Sequence, residues 1–208
     1  MPNENRIKLV GDNQIAIQLS FGKLDDRWAH DWQWVDGDQV QTLLKSREGS
    51  QDQNWPPSPP LQEISHHELP SGEAILGVGM AGKGHWSASF SMDDTTSIVA
   101  GGKTETGTIK ADLACLQKSV MTEKEETAET WTALGSSYET GSCEIEQVSD
   151  QQVRLVLPQA TLVLEAISNG EMQTRLKWDG LVLRVIPVEF SNSPVAATRW
   201  GYRLQFAV

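Results

Sequence analysis

Alternation of apolar and polar residues, broken by turn-forming pairs, constrains this chain more than any other feature. Ile15, Ile17, Leu19 and Phe21 fall on one face, and Ala16, Gln18 and Ser20 on the other. An extended chain points successive side chains to opposite faces, so a period of two marks a half-buried strand. The same period places Trp86, Ala88, Phe90 and Met92 opposite His85, Ser87, Ser89 and Ser91. Ile109, Ala111, Leu113 and Cys115 form a further inward row, and Trp200, Tyr202, Leu204 and Phe206 another. Beyond Cys143 short apolar runs (144–148, 153–157, 162–167, 172–178 and 181–188) are separated by Ser149-Asp150, Pro158, Asn169-Gly170 and Asp179-Gly180. Asn-Gly and Asp-Gly supply the positive φ angles of tight hairpins. A Gly11-Asp12-Asn13 turn is expected after a first strand over 7–10, and Val40 to Leu44 fits either a strand or one helical turn. Only Ser119 to Thr130 fits a short helix, and its acidic Glu123-Lys124-Glu125-Glu126 run fits a solvated loop equally well. The fold expected is all-β: an antiparallel sandwich or open barrel with a C-terminal meander and at most one short helix.

With 208 residues the chain is long enough to bury a core of its own, and a single domain over 1–208 is expected. The segment 46–60 changes character, ending in Trp55-Pro56-Pro57-Ser58-Pro59-Pro60. Proline fixes φ and lacks a donor, so this stretch reads as an extended connector: a strap across the surface of one domain, or a subdomain boundary.

Charge narrows the function. Seventeen basic against 28 acidic residues leave a formal charge of −11, which does not build the positive field that nucleic acids or anionic membranes require. No apolar run approaches a membrane span, and the first six residues lack the apolar core of a secretory signal, so a cytoplasmic protein is expected. Cys115 and Cys143 are then expected as buried thiols, and their spacing fits no zinc motif. No metal and no cofactor are expected, and the partner is a small molecule or a protein.

One stretch imitates two nucleotide motifs. Gly77, Gly79 and Gly82 satisfy the spacing of a dinucleotide fingerprint, and Gly77 with Gly82-Lys83 approaches a phosphate-binding loop. Both motifs work by lending a helix N-terminus to a phosphate, yet the residues that follow, His85 to Phe90, alternate as a strand. The reading retained is a Gly-rich link or bulge leading into a strand, where small residues permit close backbone approach. His30, His66, His67 and His85 offer no shared ligand face, and no GxSxG elbow occurs.

Tryptophan is the compositional oddity: eight residues, with only two Tyr and four Phe. Trp86, Trp178 and Trp200 read as core from their strand pattern. Trp28, Trp32 and Trp34, interleaved with Asp26, Asp31 and Asp36, resemble a polar-aromatic binding surface, since indole packs on sugars and cations while carboxylates accept hydroxyl bonds. The expected ligand contacts are Trp28, Trp32, Trp34, Asp31, Asp36 and His85, in a non-catalytic domain that binds a small ligand or a protein. Two alternatives compete. One is an enzyme centred on His85, Asp112 and Cys115; the other is a structural subunit that pairs with its own copies.

The run Gly79 to Phe90, followed by Lys110-Ala111-Asp112-Leu113-Ala114-Cys115 and by Leu134 to Tyr138, resembles uncharacterised bacterial proteins of the planctomycete type. Leu116 stands where that pattern carries Arg. The resemblance implies no activity; it marks residues 75–138 as the characteristic centre of the domain.

Overall fold

The computed structural model describes residues 5–11, 15–50, 52–93, 96–99, 102–105, 107–118, 134–170, 172–189 and 196–207. Seventeen strands occur, and no helix is found among the described residues. In chain order they are β1 (Arg6–Val10), β2 (Ile15–Leu24), β3 (Arg27–Asp36), β4 (Gln39–Ser46), β5 (Glu63–Leu69), β6 (Gly72–Ala81), β7 (Gly84–Asp93), β8 (Thr96–Val99) and β9 (Gly102–Glu105). They continue with β10 (Thr108–Gln117), β11 (Ser136–Thr140), β12 (Glu144–Gln147), β13 (Gln152–Val156), β14 (Thr161–Ala166), β15 (Thr174–Trp178), β16 (Val182–Pro187) and β17 (Thr198–Phe206). The helix expected over Ser119 to Thr130 and the Gly11-Asp12-Asn13 turn fall on or into residues outside those described.

Two antiparallel sheets face each other and do not close into a barrel. Sheet 1 runs β1-β2-β3-β4-β11-β16-β15; sheet 2 runs β12-β13-β14-β17-β10-β7-β6-β5; β8 and β9 make a separate hairpin. The C-terminal strands divide between the sheets, with β12, β13 and β14 adjacent in sheet 2 and β15 and β16 adjacent in sheet 1. One continuous core holds Ile17, Leu19, Trp32 and Leu183 from sheet 1 with Phe90, Leu113, Trp200 and Leu204 from sheet 2. The inward rows read from the sequence on β2, β7, β10 and β17 are those that pack here.

Val40 to Leu44 lies in strand β4. There Trp32 opposes Leu44 while Gln33 opposes Thr42, so Leu43 is the extra residue of a bulge. A regular strand turns one of two consecutive residues outward; the bulge lets both Leu43 and Leu44 bury completely.

The proline segment is a strap that carries the chain from sheet 1 to sheet 2, exposed over 52–54 and buried over most of its proline end. Pro56, Ser58, Pro59, Pro60 and Leu61 are all buried. Ser58 Oγ donates to the Ser137 carbonyl and accepts from the Ser137 N–H, each at 3.1 Å. The Trp28 N–H donates to the Leu61 carbonyl at 2.6 Å, and the Gln62 N–H to Val78 at 2.8 Å. Prolines cannot join a ladder, so the two sheets satisfy the strap through the groups that it does carry.

The glycines of the nucleotide-like stretch explain how the strap fits. Gly77 and Gly79 lie on the inward face of β6. A Cβ at Gly77 would sit 3.0 Å from Leu61 Cδ1, and one at Gly79 would collide with the Pro60 carbonyl. Gly82, at φ +51°, turns against Asn54. The spacing is a track for the strap, with no helix after it to receive a phosphate.

Candidate functional site

Filling the inward side of β6 with the strap has a consequence for its outward side. Glycine takes the inward positions, so the bulky residues Leu76, Val78 and Met80 point to solvent, at 41%, 50% and 49% exposure. The neighbouring outward positions on β7 are His85, Ser87, Ser89 and Ser91, with Met80 paired to His85 and Val78 to Ser87. On the far side of β7, His85 opposes Leu116 of β10, itself 37% exposed.

A groove of about 430 Å³ opens on this face, lined by Gln62, Glu63, Val78, Met80, His85 and Ser87. Gly79 and Trp86 also line it; they pair with each other, and the Trp86 side chain is buried inward, so they contribute the floor through their main chain. The Gln62 side chain closes one end. Its Nε2 donates to the Met80 carbonyl at 3.4 Å and its Oε1 accepts from the Met80 N–H at 3.1 Å. A carboxamide thus occupies the place a neighbouring strand's peptide group would take. Lys118 Nζ donates to Met80 Sδ at 3.7 Å.

Among the residues expected to bind a ligand, His85 alone lines this groove. Trp32 and Trp34 are at 0% and 2% exposure, packed edge-on against Tyr202 and Phe206. Neither indole face reaches a solute, which corrects the expectation of a tryptophan surface. The cause lies in β3 itself: Trp32 and Trp34 alternate inward, while Asp31 between its neighbours turns to the opposite face. Asp31 is half-buried, its carboxyl raised by desolvation and drawn back down by Lys45. Asp36 ends the strand, exposed and opposite Ile15 and Gln39. Trp28 is partly buried, with Lys23 Nζ 5.4 Å from its ring centroid.

His85, Asp112 and Cys115 do not converge. His85 opposes Leu116, whereas Asp112 opposes Ser89, four residues or about 13 Å along β7. Asp112 is engaged by Arg199 at 3.3 Å and Lys110 at 3.9 Å. Cys115 turns inward beside Trp86, where burial pushes its thiol well up. A nucleophile and base on opposite faces of a sheet cannot exchange a proton.

A second polar constellation lies inside the sandwich and was not anticipated. His30 Nε2 and the Tyr138 hydroxyl are 2.9 Å apart, and Tyr138 is hydrogen-bonded in turn to the Tyr202 hydroxyl. The His30 N–H donates to Ser46 Oγ at 2.8 Å, and Ser46 donates to Glu48 Oε1 at 2.6 Å. Desolvation pushes His30 down to about 3 and Glu48 up to about 7; the Ser46 bond and nearby Arg27 pull Glu48 the other way. The three rings are fully enclosed, so the network ties strands together and does not touch a solute.

The groove residues Gln62, Glu63, Val78, Met80 and Ser87 were also missed. A signal existed: in Leu76-Gly77-Val78-Gly79-Met80 the alternation of large residues with glycine says that one side of the strand must be empty of side chains, but not why. Among the described residues no group of three or more His, Cys, Asp or Glu is placed to hold a metal. No helix of the described residues is long and apolar enough to cross a membrane. No protein-family model matches the chain, and no curated protein sequence matches it.

Proposed function

We infer that this β-sandwich is a non-catalytic binding domain and that a protein partner seats on the outward face of β6 and β7. The observation that carries this reading is the row Leu76, Val78 and Met80, three consecutive outward residues of one strand left in solvent beside the His85 groove. Elsewhere the outward positions of β7 are serines, as expected of a face meeting water. Large apolar side chains aligned on one strand lose water favourably when covered, at roughly 25 cal/mol per Å². The row extends about 13 Å along the strand, past the groove, so a small molecule in the groove would leave Leu76 uncovered. A protein surface would cover both.

The test is amide-resolved NMR of the whole chain with a panel of small apolar amines and N-acetyl amino-acid amides. Shifts are expected to cluster on Val78, Met80, His85 and Ser87, and to disappear in Met80→Asp. Shifts confined to other faces, or none at millimolar ligand, would overturn the reading.

A further inference from the structure

The outward face ends at strand β5, and β5 differs from the other sheet edges. Among the described residues the edge strands are β1 and β15 in sheet 1 and β12 and β5 in sheet 2. Edges are normally blunted by basic residues, shortness or a covering segment. β1 carries Arg6 and Lys8. β15 carries Arg175 and Lys177, and is covered as well: Gln147 bonds both the Leu176 carbonyl and the Trp178 N–H, and Asp150 accepts from the Leu176 N–H. β12 is four residues long. β5 is seven residues long, has no Lys or Arg, and all its residues but Ile64 are exposed.

The register says which of its groups are available. Met80 directs both its N–H and C=O toward the β5 side, where Gln62 receives them. In an antiparallel ladder the direction repeats every second residue, so Val78, Leu76 and Ala74 bond to their partners Glu63, Ser65 and His67. The N–H and C=O groups of Ile64, His66 and Glu68 therefore face away from the sheet.

Resting on the reading of this face as a binding surface, we propose that the partner contributes an extended segment, alternating basic and apolar residues, that adds to β5 as a ninth strand of sheet 2. Charge selects the occupant. β5 and β6 together carry Glu63, Glu68 and Glu73 and no Lys or Arg, so a basic segment is attracted. A second copy would bring the same acidic edge, on a chain of charge −11. Main-chain bonds to Ile64, His66 and Glu68 supply the attachment, and outward side chains of the segment beside Glu63 reach the groove.

The probe is a fluorescein-labelled, capped nonapeptide alternating lysine and valine, titrated into the intact chain, with a glutamate–valine peptide as control. Saturable binding is expected for the basic peptide, at least tenfold tighter than for the acidic one. Hydrogen exchange at the Ile64, His66 and Glu68 amides should slow at least tenfold on binding. His66→Pro removes a free-edge donor that the β5–β6 ladder does not use, a position where an edge strand tolerates proline; it should weaken binding tenfold or more without lowering the melting temperature. If that variant fails to fold, exchange in the unaltered chain decides. Binding that slows none of the three amides yet is lost in Met80→Asp overturns strand addition and leaves the binding face standing. Absence of peptide binding, or protection of the same amides by self-association alone, also overturns the proposal.

Discussion

The hydroxyls of Tyr138 and Tyr202 hydrogen-bond to each other across the interior, one from β11 of sheet 1 and the other from β17 of sheet 2. Each ring is fully buried, and their edge-to-face packing places the centroids 6.0 Å apart. A polar link of this kind adds orientation to a contact that apolar packing alone leaves free to slide. The Tyr138 hydroxyl sits between the His30 ring and the Tyr202 hydroxyl, a central position that Tyr202 does not share.

That asymmetry predicts unequal costs. Tyr138→Phe removes the partner of two buried groups and should cost about 2–3 kcal/mol in urea unfolding; Tyr202→Phe, which leaves Tyr138 bonded to His30, should cost about 1 kcal/mol. The double variant should cost less than the sum, since the second change strands fewer groups. Strict additivity would mean that the two hydroxyls do not act on each other in solution.

His30 and Glu48 should bend the pH dependence of stability in opposite directions. His30 falls from 6.5 to about 3 on folding, so its contribution is complete above pH 6.5 and is lost as pH falls toward 3. Glu48 rises from 4.5 to about 7, so its contribution is complete below pH 4.5 and is lost as pH rises through 7. Between pH 4.5 and 6.5 the two slopes oppose. Glu48→Gln should stabilise the protein at pH 8 by on the order of 1–3 kcal/mol and leave it nearly unchanged at pH 4.5. Denaturation midpoints for both proteins across pH 4.5–8 check this; a gap that does not widen with pH would contradict it.

Trp32 offers a direct separation of packing from binding. Fully enclosed between the sheets and set against Tyr202, it should lose roughly 3–5 kcal/mol on replacement by alanine. The loss is read from the urea midpoint. A loss below about 1 kcal/mol would restore Trp32 as a surface group.

Much of the fold was legible because strands announce themselves locally. The inward rows of β2, β7, β10 and β17 follow from alternation alone; of the two turn pairs, Asp179-Gly180 carries the expected positive φ at Gly180, whereas Gly170 of Asn169-Gly170 does not. What alternation cannot show is the object lying against a face. The tryptophan-aspartate run has the composition of a surface but the period of a buried strand, with Asp31 and Gln33 flanking Trp32 on the opposite face. His85 was identified as a candidate and does line the groove. Gln62 and Met80 were not, because their relationship is made across 18 residues by a strap whose path no single segment reveals. The His30, Tyr138 and Ser46 network joins β3, β4 and β11, a combination set by topology and invisible to any local pattern.

The strap and its glycine track give the sharpest test of the architecture. A Cβ at Gly79 would meet the carbonyl of Pro60, a main-chain atom in a segment fixed by prolines on one side and by the Leu61 and Gln62 hydrogen bonds on the other. Neither neighbour can yield as a flexible side chain would. Gly79→Ala should therefore push the strap off β6 and cost at least about 2–3 kcal/mol, the upper part of the range for overpacked cores. Gly22→Ala is the matched control: also a strand glycine, it has nothing within 4 Å of a new Cβ, and it should change stability by less than about 0.5 kcal/mol. Displacement of the strap has its own reporter in Trp55, which packs edge-on to Trp86 at 6.4 Å. Its emission should shift to the red in Gly79→Ala and not in Gly22→Ala. Equal costs for the two variants would mean that the strap does not lie on the glycine track. The outward row of Leu76, Val78 and Met80 would then lose its physical reason for facing solvent.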